Sequence, residues 1–309
     1  MTRGNFSKQN IHNCTVYILF MFVCVYLTTK LVQYLTAQDF QAIHVFSKYK
    51  RNTQNNFINF LKLPFPYHPQ NNTDKMYSQA NQDEKVYELF PKQNGFFIEI
   101  GAFDGITFSN TLWLERKYNW TGILIEANPD LCTAIDSVQR RSWRLCACIS
   151  ENAYISLIKG GASFSAAVDD DHLKQLKEDL TITVPCFKLD QILNTLQRHH
   201  IDYFSLDVEG SEMSVLNSIK RELKSKLITV DLWTIGYKVV DAMQKNIVHK
   251  SIDNLKMIRN YFREVGGYIE LAQLSNIPFL SDGYGLDVIF INVETWCKNH
   301  TYLPSGADC

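Results

Sequence analysis

The sequence predicts an α/β fold, a parallel sheet flanked by helices, and three stretches carry that prediction. Residues 96–110, FFIEIGAFDGITFSN, run an apolar strand straight into a glycine-bearing turn and then into a helix. Phe96, Phe97, Ile98 and Ile100 form the unbroken apolar run of a strand covered on both faces, which is the habit of parallel sheets. Residues 122–128, GILIEAN, make a second such strand and end it in an acid, Glu126. Residues 201–216, IDYFSLDVEGSEMSVL, supply a further core strand and its following helix, with Asp207 and Glu209 where the strand stops.

Taken from the N-terminus, residues 1–13 are polar and residues 14–29, CTVYILFMFVCVYLTT, carry no charge. Lys30 can snorkel and the amphipathic LVQYL lengthens the helix, so residues 14–35 are expected to be a transmembrane signal anchor. A cleaved signal peptide ending near Ala37 is the competing reading, although Leu35 and Ala37 make a poor cleavage site. Residues 36–75 end in LPFPYHPQNN and are expected to be an extended stem, since closely spaced prolines suppress helix. Asn71, Asn119 and Asn299 each open an N-glycan acceptor sequence, which has meaning only for a luminal domain.

The folded domain is expected over residues 76–295, followed by a C-terminal tail, 296–309. It opens with a short helix carrying Gln79, Gln82 and Asp83. After the two strands come a helix near 129–138 and a third strand, WRLCACIS. The insertion 153–183, with its GGASFSA run, is expected to be a surface loop, closure over a substrate being the alternative. VPCFKLDQIL reads as a strand entering a helix, and LITVDLWTI, YIELAQL and GLDVIFIN as later strands around an amphipathic helix at 252–265.

Gly101 and Gly105 bracket the first turn. Glycine admits dihedrals closed to other residues and lets the backbone approach a ligand, so the turn is a candidate nucleotide cradle, although such glycines equally serve a tight turn alone. Glu126 strengthens the ligand reading, because a carboxylate at the tip of the second strand has two oxygens for two ribose hydroxyls. Asp207 and Glu209 fall where open α/β sheets bind ligands. Glu212, like Glu209, alternatively complements a helix dipole. His199 and His200 are expected to be structural or solvated.

The net charge of -1 lacks the basic excess of a nucleic-acid partner. Hydrophobic residues at 46% and charged residues at 20% are those of a folded chain. Of eight cysteines, six lie beyond the apolar segment, with no spacing that suggests zinc. Cys146 and Cys148 are expected to share one face of a strand, and Cys297 with Cys309 is the easiest disulfide to envisage in a luminal domain.

Together the blocks SQANQDEKV, FFIEIGAFDGITFSNT, WTGILIEANPD, VPCFKLDQIL, IDYFSLDVEGSEMSVL and GLDVIFIN resemble, in order and spacing, the FkbM-type methyltransferase domain over about residues 76–292. The form with SNT after the turn, behind an N-terminal anchor, is similar to arthropod proteins of the Star type. The resemblance implies a class I methyltransferase fold: a Rossmann-like, doubly wound seven-stranded sheet that binds S-adenosylmethionine at the ends of its first two strands. It places Glu99, Gly101, Ala102 and Gly105 along the methionine and ribose side, Glu126 on the ribose, and Asp207 and Glu209 toward the acceptor, without a metal. Two functions are then open. One is O-methyl transfer to a hydroxyl of a small molecule, glycan or lipid by a single-pass membrane protein of the endoplasmic reticulum and Golgi. The other is non-catalytic escort of membrane-protein cargo through the same compartments. A dinucleotide site fits less well, because Phe103 and Ile106 stand where a Gly-x-Gly-x-x-Gly turn needs glycine.

Overall fold

The computed structural model describes residues 56–66, 75–158, 181–238, 247–276, 285–304 and 306–309. Among these, no helix is long and apolar enough to cross a membrane, and the expected anchor at 14–35 lies outside them.

The described chain opens on a 3-10 turn, Asn56–Asn59, and strand β1, Leu61–Lys62. Helix α1, Gln82–Leu89, leads to β2, Phe96–Ile100, then α2, Leu112–Tyr118, and β3, Thr121–Glu126. Helix α3, Pro129–Ser137, follows, then β4, Trp143–Cys146, and β5, Cys148–Ile149. A hairpin-like pair, β6, Tyr154–Ile158, and β7, Thr181–Phe187, precedes α4, Leu189–Leu196. Strand β8, His200–Leu206, runs into α5, Glu212–Ser218, and α6, Lys220–Lys224. The chain closes with β9, Thr229–Gly236, α7, Ile247–Val265, β10, Tyr268–Leu274, β11, Asp287–Asn292, and α8, Val293–Asn299.

The central sheet has the order β1-β4-β3-β2-β8-β9-β11-β10. From β4 to β9 it is parallel; β1 pairs antiparallel with β4 and β11 antiparallel with β9, while β10, antiparallel to β11, runs in the direction of the parallel strands again. The order reverses between β2 and β8: the chain winds outward through β3 and β4, then returns to lay β8 on the other side of β2. Such a switch point opens a crevice at the carboxyl ends of the strands. Every residue of β2 is buried, as are residues 201–206 of β8 and 230–236 of β9, which is why these segments read as unbroken apolar runs. Trp120, Phe97, Leu124, Tyr203 and Leu232 fill the core beneath helices α1 and α2.

Several expectations need correction. The sheet has eight strands among the described residues, not seven, because β1 pairs antiparallel with β4, Leu61 opposite Leu145. The stretch that prolines marked as stem therefore enters the domain: Phe57, Ile58 and Leu61 are buried, and Phe57 and Phe60 pack on Phe187. The insertion 153–183 is not all loop, since its ends form β6 and the start of β7 in a second sheet ordered β5-β7-β6; residues 159–180 lie outside the described ones. The boundary drawn at 295 falls inside α8.

WRLCACIS does not form one strand. It breaks after Cys146, and the two cysteines part company: Cys146 joins Cys132 of α3, and Cys148 joins Cys186 of β7. Cys297 is joined to Cys309, as expected, tying α8 to the tail.

Candidate active site

A cavity of about 290 Å³ opens at the switch point, lined by the ends of β2, β3 and β8 and by residues of β5 and β6. That is close to the lower bound, about 300 Å³, for small-molecule sites.

The glycine turn forms its floor. Gly101 N and Ala102 N both donate to Ile125 O, at 3.0 and 3.2 Å, and Gly105 N closes the turn on Ala102 O at 2.9 Å. Gly101 has φ +85°, and a Cβ there would stand 1.7 Å from Asp207 O, so only glycine lets the turns after β2 and β8 meet. Gly105 does not line the cavity. It has φ +79°, and its carbonyl accepts from Arg140 Nη1 at 2.6 Å, so it serves the turn.

Glu126 lines the cavity at the tip of β3 and is nearly buried. Its Oε2 accepts from Phe103 N at 3.0 Å and its Oε1 from Asn128 N at 2.9 Å. Only backbone N–H groups engage it, Ala127 among them, so no side chain competes with ribose hydroxyls for the acceptor capacity that remains. Burial raises its carboxyl above the ordinary range, against the pull of those backbone donors.

Glu99 also lines the cavity, but much of its capacity is spent inside the protein. Oε2 accepts from Ser109 Oγ at 3.0 Å and from Thr111 Oγ1, and Oε1 from Asn110 N at 2.8 Å. Its first task is to hold the Ser-Asn-Thr loop against the sheet. Arg140, 1% exposed, braces the same loop: it bonds Glu115 Oε2 at 3.0 Å, Thr111 Oγ1 at 2.9 Å and Ser109 Oγ at 3.3 Å.

At the other end stand Asp207 and Glu209, in a turn that Glu212 holds by accepting from Val208 N and Gly210 N, each at 3.1 Å. Glu212 is thus buried as the turn's internal acceptor rather than a dipole complement. No described residue hydrogen-bonds the Glu209 carboxylate, and Glu209 holds φ +52° without being glycine, a conformation that costs on the order of 1 kcal/mol. Asp287, on β11, is fully buried and accepts from Gln82 Nε2. Gly236 leaves room for Asp207, whose Oδ1 would lie 2.6 Å from a Cβ there.

Burial, and after it the neighbouring carboxylates, raise Glu209, Glu212 and Asp287. Burial and then Asp207, Glu212 and Asp287 push Glu209 up to about 8. Burial and then Asp207 push Asp287 up to about 7, and Glu212 reaches about 7 chiefly through burial. Asp207 is raised by the protein around it, and because its side chain is open to the cavity, water there offsets part of that rise. The result is at least one carboxyl poised to exchange a proton near neutrality.

The structure therefore brings Glu99, Gly101, Ala102, Glu126, Asp207 and Glu209 to one cavity and leaves Gly105 behind it. Sequence reasoning missed Asn110, Ser205, Asp287 and the Arg140 brace. Only the Ser-Asn-Thr run after the turn offered a signal for any of them. His200, with Asp202 and Asp231, lies at the opposite ends of the strands, their ligating atoms within 4.8 Å of one another. Lys92, Phe96 N and Thr295 already engage those two carboxylates, so the group is a saturated ion-pair cluster.

A sheet reversing at β2, a glycine turn below and an acid on the neighbouring strand end define a nucleoside-binding α/β protein. Residues 99–267 match the model of the methyltransferase FkbM domain, and the chain belongs to that family. Its cofactor is S-adenosylmethionine. No curated protein matches the chain significantly. Among solved structures, the FkbM methyltransferase of Methylobacillus flagellatus is 15% identical with a TM-score of 0.41, covering 64% of this chain and 43% of its own. This chain thus spans less than half the length of that protein. An S-adenosylmethionine-dependent methyltransferase of Aquifex aeolicus is 11% identical with a TM-score of 0.39, over 69% of this chain and 90% of its own. A TehB-like methyltransferase of Corynebacterium glutamicum is 10% identical at 0.37, over 71% and 89%. At such scores the assignment rests on the family model and the site.

The residues present fit the cofactor. Glu126 is engaged only by backbone N–H groups, the turn leaves the cavity open above it, and one cavity atom, Asn110 Oδ1, is buried without a partner.

Proposed function

We propose that the chain is a membrane-anchored methyltransferase of the secretory pathway that transfers a methyl group from S-adenosylmethionine to a hydroxyl of a small molecule, glycan or lipid. Bound S-adenosylmethionine supplies an electrophilic methyl group on a sulfonium. The protein's part is to align the acceptor oxygen in line with that methyl and to take the hydroxyl proton. Glu209 carries this reading: it lines the cavity, accepts no hydrogen bond from a described residue, and its value of about 8 suits a base working near neutrality. Asp207 beside it keeps that value high and faces the same acceptor. The test is methyl transfer by the full chain from labelled S-adenosylmethionine into hydroxyl-bearing acceptor pools. The Asp207→Asn, Glu209→Gln double variant is expected to lose transfer while still binding cofactor; undiminished transfer by that variant removes these residues as base.

All six described cysteines are paired, a habit of oxidising compartments, and this supports a luminal domain behind an anchor at residues 14–35. It also favours a second reading, because the lumen must import S-adenosylmethionine. On that reading the domain keeps the fold as a non-catalytic escort for membrane-protein cargo, and the full chain binds S-adenosylmethionine weakly or not at all.

A further inference from the structure

Asp287 opens β11, 3% exposed, ahead of the apolar run Val288, Ile289, Phe290 and Ile291. A carboxylate buried there is costly unless something answers its charge. Gln82 is the described donor to it, giving Nε2 to Oδ2 while its own Oε1 accepts from Ala80 N at 2.7 Å, and no described lysine, arginine or histidine pairs with it. Its neighbour on the sheet is instead a second carboxyl. Asp287 stands directly opposite Gly236 in the register of β9 and β11, so their side-chain positions share one face, about 4.5–5.5 Å apart. Gly236 leaves its position empty and Asp207 Oδ1 fills it, 2.6 Å from where a Cβ would stand. The Asp207 carboxyl is thereby laid beside that of Asp287.

Two carboxyls so placed, with no described cation between them, do not both ionise, because each charge disfavours the other. Asp207 is the first charge, after burial, that raises Asp287, to about 7. The other groups facing the pair are Tyr203 of β8, whose hydroxyl is engaged with Thr234 Oγ1 at 2.7 Å, Glu209 in the turn and Glu212 of α5; Lys238, past β9, acts on Glu209. We propose that Asp287 is a positioning residue for the acceptor end of the cavity: its carboxyl and that of Asp207 share one proton above Gly236, so that the pair carries a single negative charge and Asp207 keeps one orientation toward the cavity. One charge rather than two beside Glu209 lets that base ionise near neutrality. This consequence rests on the methyl-transfer reading, whereas the shared proton does not.

The test is infrared spectroscopy of the full chain with its aspartate carboxyls labelled in carbon-13, which isolates a protonated aspartyl carbonyl from Glu209 and Glu212. Wild type near neutral pH is expected to show that carbonyl stretch, and Asp287→Asn to lose it, because Asp207 then has no carboxyl to share with and ionises. In Asp207→Asn the charge that holds the proton on Asp287 is gone, so the pH midpoint of the band is expected to fall by about one unit or more. A purely structural Asp287 would move neither signal. Absence of a protonated aspartyl band from wild type overturns the proposal without any variant. A band that persists in Asp287→Asn overturns it as well, and so does one that keeps the wild-type midpoint in Asp207→Asn, which would make the proton the property of Asp287 alone. Failure of wild type to bind S-adenosylmethionine is a separate outcome, which removes the enzymatic reading and leaves these spectra as predicted.

Discussion

Replacing Arg140 by methionine removes the buried cation that ties the glycine turn, the Ser-Asn-Thr loop and α2 together. Its guanidinium is 1% exposed and its partner Glu115 4% exposed, with Nε to Oε2 at 3.0 Å. Three further bonds reach Gly105 O, Ser109 Oγ and Thr111 Oγ1. Methionine fills much of the volume but leaves Glu115 charged in the interior, and breaking a buried pair from one side costs about 3–5 kcal/mol. For a domain of this size that is a fall in melting temperature on the order of 6–20 °C, at roughly 2–4 °C per kcal/mol. The assay is thermal unfolding of the full chain, followed by chemical denaturation to read the free energy directly. Adding Glu115→Leu to Arg140→Met is expected to restore much of the loss, because the orphaned charge is then gone as well. A loss below about 1 kcal/mol for Arg140→Met, the size of an exposed ion pair, would refute the brace.

The other predictions concern pH and oxidation. Since Glu209 must be unprotonated to act as base, kcat/KM is expected to rise with pH toward about 8 and level off above it. Glu209→Gln is expected to abolish that rise and to cost roughly 10²–10⁴-fold, and an unchanged pH profile would exclude the role. Hydrogen bonds to Asp202 and Asp231 raise His200 from 6.5 to about 9, so its contribution to stability is complete below about 6.5 and lost as pH climbs through 9. Unfolding of wild type and His200→Gln should therefore converge across that window, and a constant gap would contradict it. The Cys148–Cys186 bridge spans 38 residues, so Cys148→Ser with Cys186→Ser is expected to cost about 4 kcal/mol on the loop-entropy relation. Since Cys148 lines the cavity, cofactor affinity should fall with it; unchanged unfolding and affinity would show the second sheet to be held by packing alone.

Strands β2, β3 and β8 were legible because burial on both faces leaves an unbroken apolar run, and the ligand-side residues Gly101 and Glu126 stand at their ends. Strand β1 was not: two residues beside prolines have no period, and their place is set by Leu145 and Phe187 across the fold. The same limit hid the disulfide partners of Cys146 and Cys148, since a single broken strand sends adjacent cysteines to different layers. Arg140, Glu115 and Asp287 look like ordinary surface charges in sequence. What makes them matter is burial against segments tens of residues away. Glu99 and Glu212 show the converse, acids placed correctly near the site whose oxygens turn out to hold loops.

The central claim is that adenosine lies against the ends of β2 and β3 with its ribose on Glu126. Calorimetric titration of the full chain with S-adenosylmethionine tests it most directly. Wild type is expected to bind one equivalent, and Glu126→Ala, which forfeits two charge-assisted hydrogen bonds, to bind roughly 100-fold or more weakly. Equal binding by the two proteins, or none by wild type, would contradict it.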